Sequence, residues 1–265
     1  MSQKQKKQKV DNTLSKVNPM LQCASYALEM MSYGAVRSHV IGALITDDKI
    51  QLLYYNHSII LLSEPLNFLE NPTTFIAMLH AMVKLSRSQW GYVMPLHPVP
   101  VTASPHTFDG MELKLCNGRR LKLGKTVFRQ HCLIGRGTCV VRATHIKEEG
   151  DDGIDEEGWD SKLIVKLSWP PASRIPEQDI IARARQTADC DGYRWVLKHL
   201  PKVLHAEDND INLLSRALID RLGNQCEKRV FRLMVMEELF AITERTNSRD
   251  LAETTCEIFD CRFCI

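Results

Sequence analysis

The chain has 265 residues, 44% of them hydrophobic and 25% charged, with a formal net charge of +2. That composition suits one large or two small globular domains and excludes wholesale disorder, while so small a charge sets up no global field toward nucleic acid or an anionic membrane. No apolar run approaches the roughly 20 residues of a spanning helix, and nine scattered cysteines fit a reducing, intracellular (cytoplasmic or nuclear) setting better than a disulfide scaffold.

Residues 1–17 are polar and lysine-rich and are expected to form a disordered basic tail; no apolar core follows, so they do not read as a secretory signal. Residues 18–95 read as an α+β unit. Leu21, Ala24, Ala27, Leu28 and Met31 recur at helical spacing from Pro19 to about Gly34. The β-rich runs Val40–Ile45, Ile50–Tyr55 and Ile59–Leu62 follow, with Asp47–Asp48 and Asn56–His57 as turns, which predicts an antiparallel meander. Asn71–Pro72 opens a second helix whose Phe75, Met78, Leu79, Met82 and Leu85 keep a 3.6 period. His39, His57 and His80 have no ligand-like spacing and read as ordinary core or surface residues. Four prolines between Pro95 and Pro105 mark a linker, taken as residues 96–110.

Residues 111–240 carry the chemistry. Met111–Cys116 and Arg119–Leu123 alternate around Asn117–Gly118, a strong hairpin signal, and another strand is expected from about Thr126. Leu133–Ile134 reads as an apolar strand entering the turn Gly135–Arg136–Gly137–Thr138, and Cys139–Ala143 as the strand leaving it. Glycines there let backbone N–H groups approach phosphate oxygens. The acidic stretch Glu148–Asp160 lacks the ligand spacing of a calcium loop and reads as a solvated connection. Lys166 then sits inside the apolar run Leu163–Leu167, where a buried ammonium is costly unless an anion receives it. Pro176–Glu177 opens a helix through Ile180, Ile181 and Ala184. A glycine turn, a strand lysine and a helix glutamate, in that order, is the order of a kinase N-lobe. Arg229–Val235 followed by Met236–Glu237–Glu238–Leu239 is by itself an ordinary buried strand; in this order it also matches the strand that runs into a kinase hinge.

These residues bear a wider likeness. Gly135–Thr138, Val165–Pro170 with Ser173, Arg174 and Glu177, His199–Val203, and Glu237–Leu239 with Thr243, Glu244, Thr246 and Asn247 resemble the fungal-type protein kinase family. Arg37–Leu44 and Pro65–Phe68 are similar to the region preceding its kinase fold. The resemblance implies an α+β, kinase-like N-lobe (antiparallel sheet and one helix), ATP with Mg2+ as cofactors, and transfer to a protein hydroxyl. By position Lys166 matches the phosphate-holding lysine and Glu177 its partner. Gly135, Arg136, Gly137 and Thr138 match the phosphate loop, Met236 the gatekeeper, and Glu237 and Leu239 the hinge.

Several features depart from the pattern. The third loop glycine is replaced by Val140, which implies a shorter loop with fewer free N–H groups. Glu177 follows Lys166 by only eleven positions, in a first helical turn, which leaves their meeting open. The sequence contains no H-R-D and no D-F-G; Ser248–Arg249–Asp250–Leu251 lacks the histidine, and Thr255 stands where an asparagine is needed. Residues 241–265, with a helix Leu251–Cys261, are expected to begin a C-lobe truncated before the catalytic loop, giving a chain inactive alone. The alternative is a non-catalytic pseudokinase or scaffold with protein partners. A small-molecule phosphotransferase would need the same missing aspartates. Cys256, Cys261 and Cys264 match part of an iron–sulfur spacing, which reads as accidental.

Overall fold

A computed structural model describes residues 18–32, 36–93, 96–97, 108–147, 158–190, 193–209, 217, 220–221 and 227–239. The basic tail, most of the proline-rich linker, residues 148–157 of the acidic stretch, and the expected C-lobe helix with its three cysteines lie outside the described residues. No described helix is long and apolar enough to cross a membrane.

The first unit consists of α1 (Pro19–Ser32), β1 (His39–Thr46), β2 (Lys49–Asn56), β3 (Ile60–Leu62), β4 (Leu66–Asn67) and α2 (Pro72–Val83). β1 and β2 form a hairpin closed at Thr46↔Lys49, with Asp47 in the left-handed region at φ 53. Aspartate tolerates that conformation better than most residues. β2 also pairs with β3, as the expected meander requires, and with the short β4, which the sequence pattern does not reveal. The helical period of α1 buries Ala27 and Met31 against Val40, Leu53 and Tyr55. In α2 the predicted stripe forms but is only partly covered: Phe75 and Met78 are half-buried, while Ile76, Leu79 and Val83 are exposed.

The second sheet has seven antiparallel strands in the order β10-β11-β9-β8-β7-β6-β5. In chain order they are β5 (Leu96–His97), β6 (Glu112–Lys114), β7 (Arg120–Arg129), β8 (Cys139–Ile146), β9 (Leu163–Ser168), β10 (Val203–Asn209) and β11 (Phe231–Glu237). Helix α3 (Glu177–Cys190) and a 3-10 helix (Arg194–His199) separate β9 from β10. Alternation along the strands places Leu121, Leu123, Val141, Leu163, Val165, Leu167, Leu233 and Val235 in one core with Phe108, Trp159 and Trp169. Each such side chain contributes about 1.5–3 kcal/mol by leaving water. The architecture is the expected α+β one, antiparallel sheet with few helices.

Two strand expectations are corrected. The segments read as Arg119–Leu123 and a separate strand from Thr126 are one strand, β7, whose register with β8 shifts around Thr126 instead of breaking. Leu133–Ile134 is not a strand. It belongs to a loop over residues 130–138, closed at its base by the Gln130 N–H donating to Thr138 O at 2.8 Å. Leu133 packs against the core of the first unit, so its apolar character serves a contact between sheets.

Candidate nucleotide site

Lys166 lies mid-sheet on β9, opposite Val140 of β8 and Met234 of β11. Its neighbours Val165 and Leu167 point into the core, so alternation turns the lysine to the other face. There its Nζ donates to Glu177 Oε1 at 2.7 Å and also bonds Oε2. The proline run makes the short spacing workable. Val230 N–H donates to Pro170 O at 3.1 Å and Ala172 N–H to Lys228 O at 2.8 Å, extending the pairing of β9 and β11 before the chain turns. Pro176 then caps α3, its carbonyl accepting from the N–H groups of Asp179 and Ile180. Glu177 thus emerges at the first position of the helix, where the helix dipole favours an anion.

Arg232 adds a second cation on the same face. It pairs with Ser168, two residues along from Lys166, and its buried guanidinium donates to both carboxylate oxygens of Asp208 at 2.7 Å. Asp208 raises the arginine's pKa chiefly through those hydrogen bonds, against desolvation by burial, with smaller help from the charges of Asp179 and Glu177. Sequence reasoning missed this pair. The only signal was one charged residue inside the apolar run of β11, with its partner in a strand that had not been recognised.

Met236 is buried and pairs with Ile164, on the same face as Lys166 and two residues from it. Beyond it the chain is tied down by charge. Glu237 sits 3.1 Å from Lys202 Nζ, Glu238 accepts from Arg142 Nε at 2.7 Å, and the Glu238 N–H donates to Lys162 O at 2.7 Å. Leu239 is exposed.

The glycine turn is placed differently from a free phosphate cradle. Gly135 (φ 137) and Gly137 (φ 51) both adopt backbone that side-chain-bearing residues avoid. The Gly135 N–H donates to His57 O at 3.0 Å, and Arg136 O accepts from the Trp169 N–H at 2.7 Å. A Cβ on Gly137 would stand 2.4 Å from His57 Cε1. Arg136 is exposed, and Thr138 closes the loop's base through its carbonyl. His57, read from the sequence as an ordinary histidine, is buried against this turn. Its ring stacks on Trp169 at 5.3 Å, and Trp169 lies against Phe231 at 4.9 Å. Burial, and then the charge of Arg229, push the imidazole down to about 4. Nothing in the sequence could have paired residue 57 with a glycine so far along the chain.

The geometry therefore joins Lys166 and Glu177, sets Met236 beside them, and ties the glycine turn to the first unit. Among curated proteins none matches the chain. The sequence profile of the fungal protein kinases matches residues 2–254, nearly the whole length, and the chain belongs to that family.

Proposed function

We propose that this chain binds a nucleoside triphosphate through its phosphates at Lys166, and that these residues by themselves do not transfer the terminal phosphoryl group. The observation that carries the reading is the ion pair between Lys166 and Glu177. In kinases the strand lysine is held by a helix carboxylate so that its charge stands ready for the α/β-phosphates. Family membership supports ATP and Mg2+ as the expected ligands. Met236, Glu237 and Leu239 would line the adenine end, and Gly135–Thr138 the phosphate end. The aspartate that would act as base and the residues that would hold the metal have no counterpart in the sequence, since neither H-R-D nor D-F-G occurs.

A second reading, a non-catalytic interaction module, draws support from one specific observation. The Gly135 N–H, a donor a phosphate would use, is already bonded to His57 O. The two readings separate in a titration of the purified chain with ATP, with and without Mg2+, comparing wild type with Lys166→Ala. Saturable binding that the substitution removes supports the nucleotide reading. A folded wild-type chain that binds no ATP overturns it and leaves the interaction module.

A further inference from the structure

The two ends of the second sheet do not stay apart. β10 is one terminal strand and β6 lies next to the other end, yet the hairpin turn after β6 reaches β10, where the Cys116 N–H donates to Glu207 Oε2 at 2.9 Å. His205 and Glu207 alternate onto one side of β10, and Glu207 Oε2 lies 2.9 Å from His205 Nε2. The Cys116 Sγ is 3.7 Å from that same nitrogen. One ligand atom from each of the three side chains falls within 4.8 Å of the others.

Two chemistries fit a cysteine, a histidine and a carboxylate. A nucleophilic relay needs the carboxylate on one ring nitrogen and the thiol on the other. Here both converge on Nε2. Convergence of S, N and O on one point is instead what a cation asks for. We infer that Cys116, His205 and Glu207 form a binding site for a divalent, borderline-soft cation of the Zn2+ class, at the seam where the two ends of the sheet meet.

The distances suit that ion. With Zn–S of about 2.3 Å and Zn–N of about 2.0–2.1 Å, tetrahedral geometry separates sulfur and nitrogen by about 3.5 Å, close to the 3.7 Å found. The nitrogen–oxygen separation of 2.9 Å must open by about 0.5 Å, which a small carboxylate rotation supplies. The carboxylate is ready as an anion. Burial works to raise its pKa, but hydrogen bonds from Cys116, His205 and Asn209 outweigh it and bring it down to about 2. Asn209 Nδ2 holds the other oxygen, Oε1, at 2.9 Å and so orients the ligand. Cys116 is exposed, so a fourth position opens to water. On binding, the thiol proton leaves to solvent and the imidazole N–H moves to Nδ1. Loss of the thiol proton makes affinity rise with pH. The ion would staple β10 to the β6–β7 hairpin.

The test titrates Zn2+, and Co2+ as a spectroscopic substitute, into the reduced full chain and into Cys116→Ser, Glu207→Gln and Asn209→Ala. Eight other cysteines make the difference between wild type and Cys116→Ser the decisive quantity. The wild type is expected to bind one equivalent more than Cys116→Ser, to gain Tm with Zn2+, and to show a stronger thiolate–Co2+ absorption. Asn209→Ala should weaken that equivalent by about 10–100-fold, as removal of an orienting partner does. Cys116 is exposed and serine nearly isosteric, so that variant should fold; Glu207→Gln, which keeps the shape and removes the charge, gives an independent arm. Equal stoichiometry and equal Tm gain in wild type and Cys116→Ser would overturn the assignment, as would full-affinity binding by Glu207→Gln.

Discussion

Lys166 and Glu177 are partly solvated, with side-chain exposures of 22% and 47%. An ion pair in that setting contributes below about 1 kcal/mol to stability. Its value lies in fixing where the ammonium points. Glu177→Gln should therefore leave the urea midpoint almost unchanged while weakening ATP binding, and a matching loss of stability and binding would show the pair to be structural instead. Gly137 tests the turn. Its left-handed backbone costs an alanine about 1–2 kcal/mol, and the new Cβ would collide with the His57 ring. Gly137→Ala should destabilise by more than the backbone term alone, and adding His57→Ala should recover the excess; strictly additive effects would remove the contact from the explanation. At this scale Lys166 was legible because a cation within an apolar strand contradicts its neighbours. His57 was not, because a histidine beside an asparagine looks the same whether it ends a turn or fills a groove on a distant loop.

Among the elements, those with a clean period were readable: α1, the β1–β2 hairpin, the hairpin around Asn117–Gly118, β9 and α3. β10 was not, because Val203–Asn209 runs from apolar into charged residues, with little of the branched or aromatic character that marks a strand. What makes it a strand is its partner. Asp208 stands directly opposite Arg232, and their two hydrogen bonds of 2.7 Å pin the edge strand to β11. The arginine side chain is 7% exposed and the aspartate 38%. Removing the aspartate leaves a buried, unpaired guanidinium, a loss softened by the water that reaches Asp208. Asp208→Ala should cost about 1–3 kcal/mol and raise hydrogen exchange along β10 more than along β8. Uniform exchange across the sheet would mean that β10 is held by its backbone ladder alone. The Leu133–Ile134 segment shows the opposite failure: apolar residues beside a glycine predicted pairing, whereas Leu133 was apolar for a contact with the other sheet.

At the scale of the whole molecule, the first unit meets the second sheet where the turn Asn56–His57–Ser58 presses on the glycine loop. Ser58 Oγ donates to Glu227 O at 2.6 Å, Gly135 N–H donates to His57 O, and the His57 ring stacks on Trp169. The imidazole is held neutral, its pKa lowered from 6.5 to about 4 by burial and by Arg229. Because the folded value lies below the unfolded one, the unfolded chain takes up protons first as pH falls. The contribution is whole above pH 6.5 and is lost between there and about 4, with a full swing on the order of 3 kcal/mol. His39, also buried and lowered, acts in the same direction. Between pH 7 and pH 5 Glu207 interferes little, since its carboxylate contributes in full above its ordinary 4.5 and gives way from there toward about 2. Urea denaturation at pH 7 and pH 5 should therefore show a clear fall in stability. His57→Phe, which keeps a ring against Trp169 but cannot take a proton, should flatten the fall to what His39 leaves. The protection factor at Gly135, which removes the base-catalysed intrinsic rate, should fall with acid in the wild type and not in the variant. If His57→Phe loses stability with pH as steeply as the wild type, the histidine is not the group that acid attacks, and the backbone bond from Gly135 to His57 with the Ser58 and Leu133 contacts holds the join whatever the imidazole's charge.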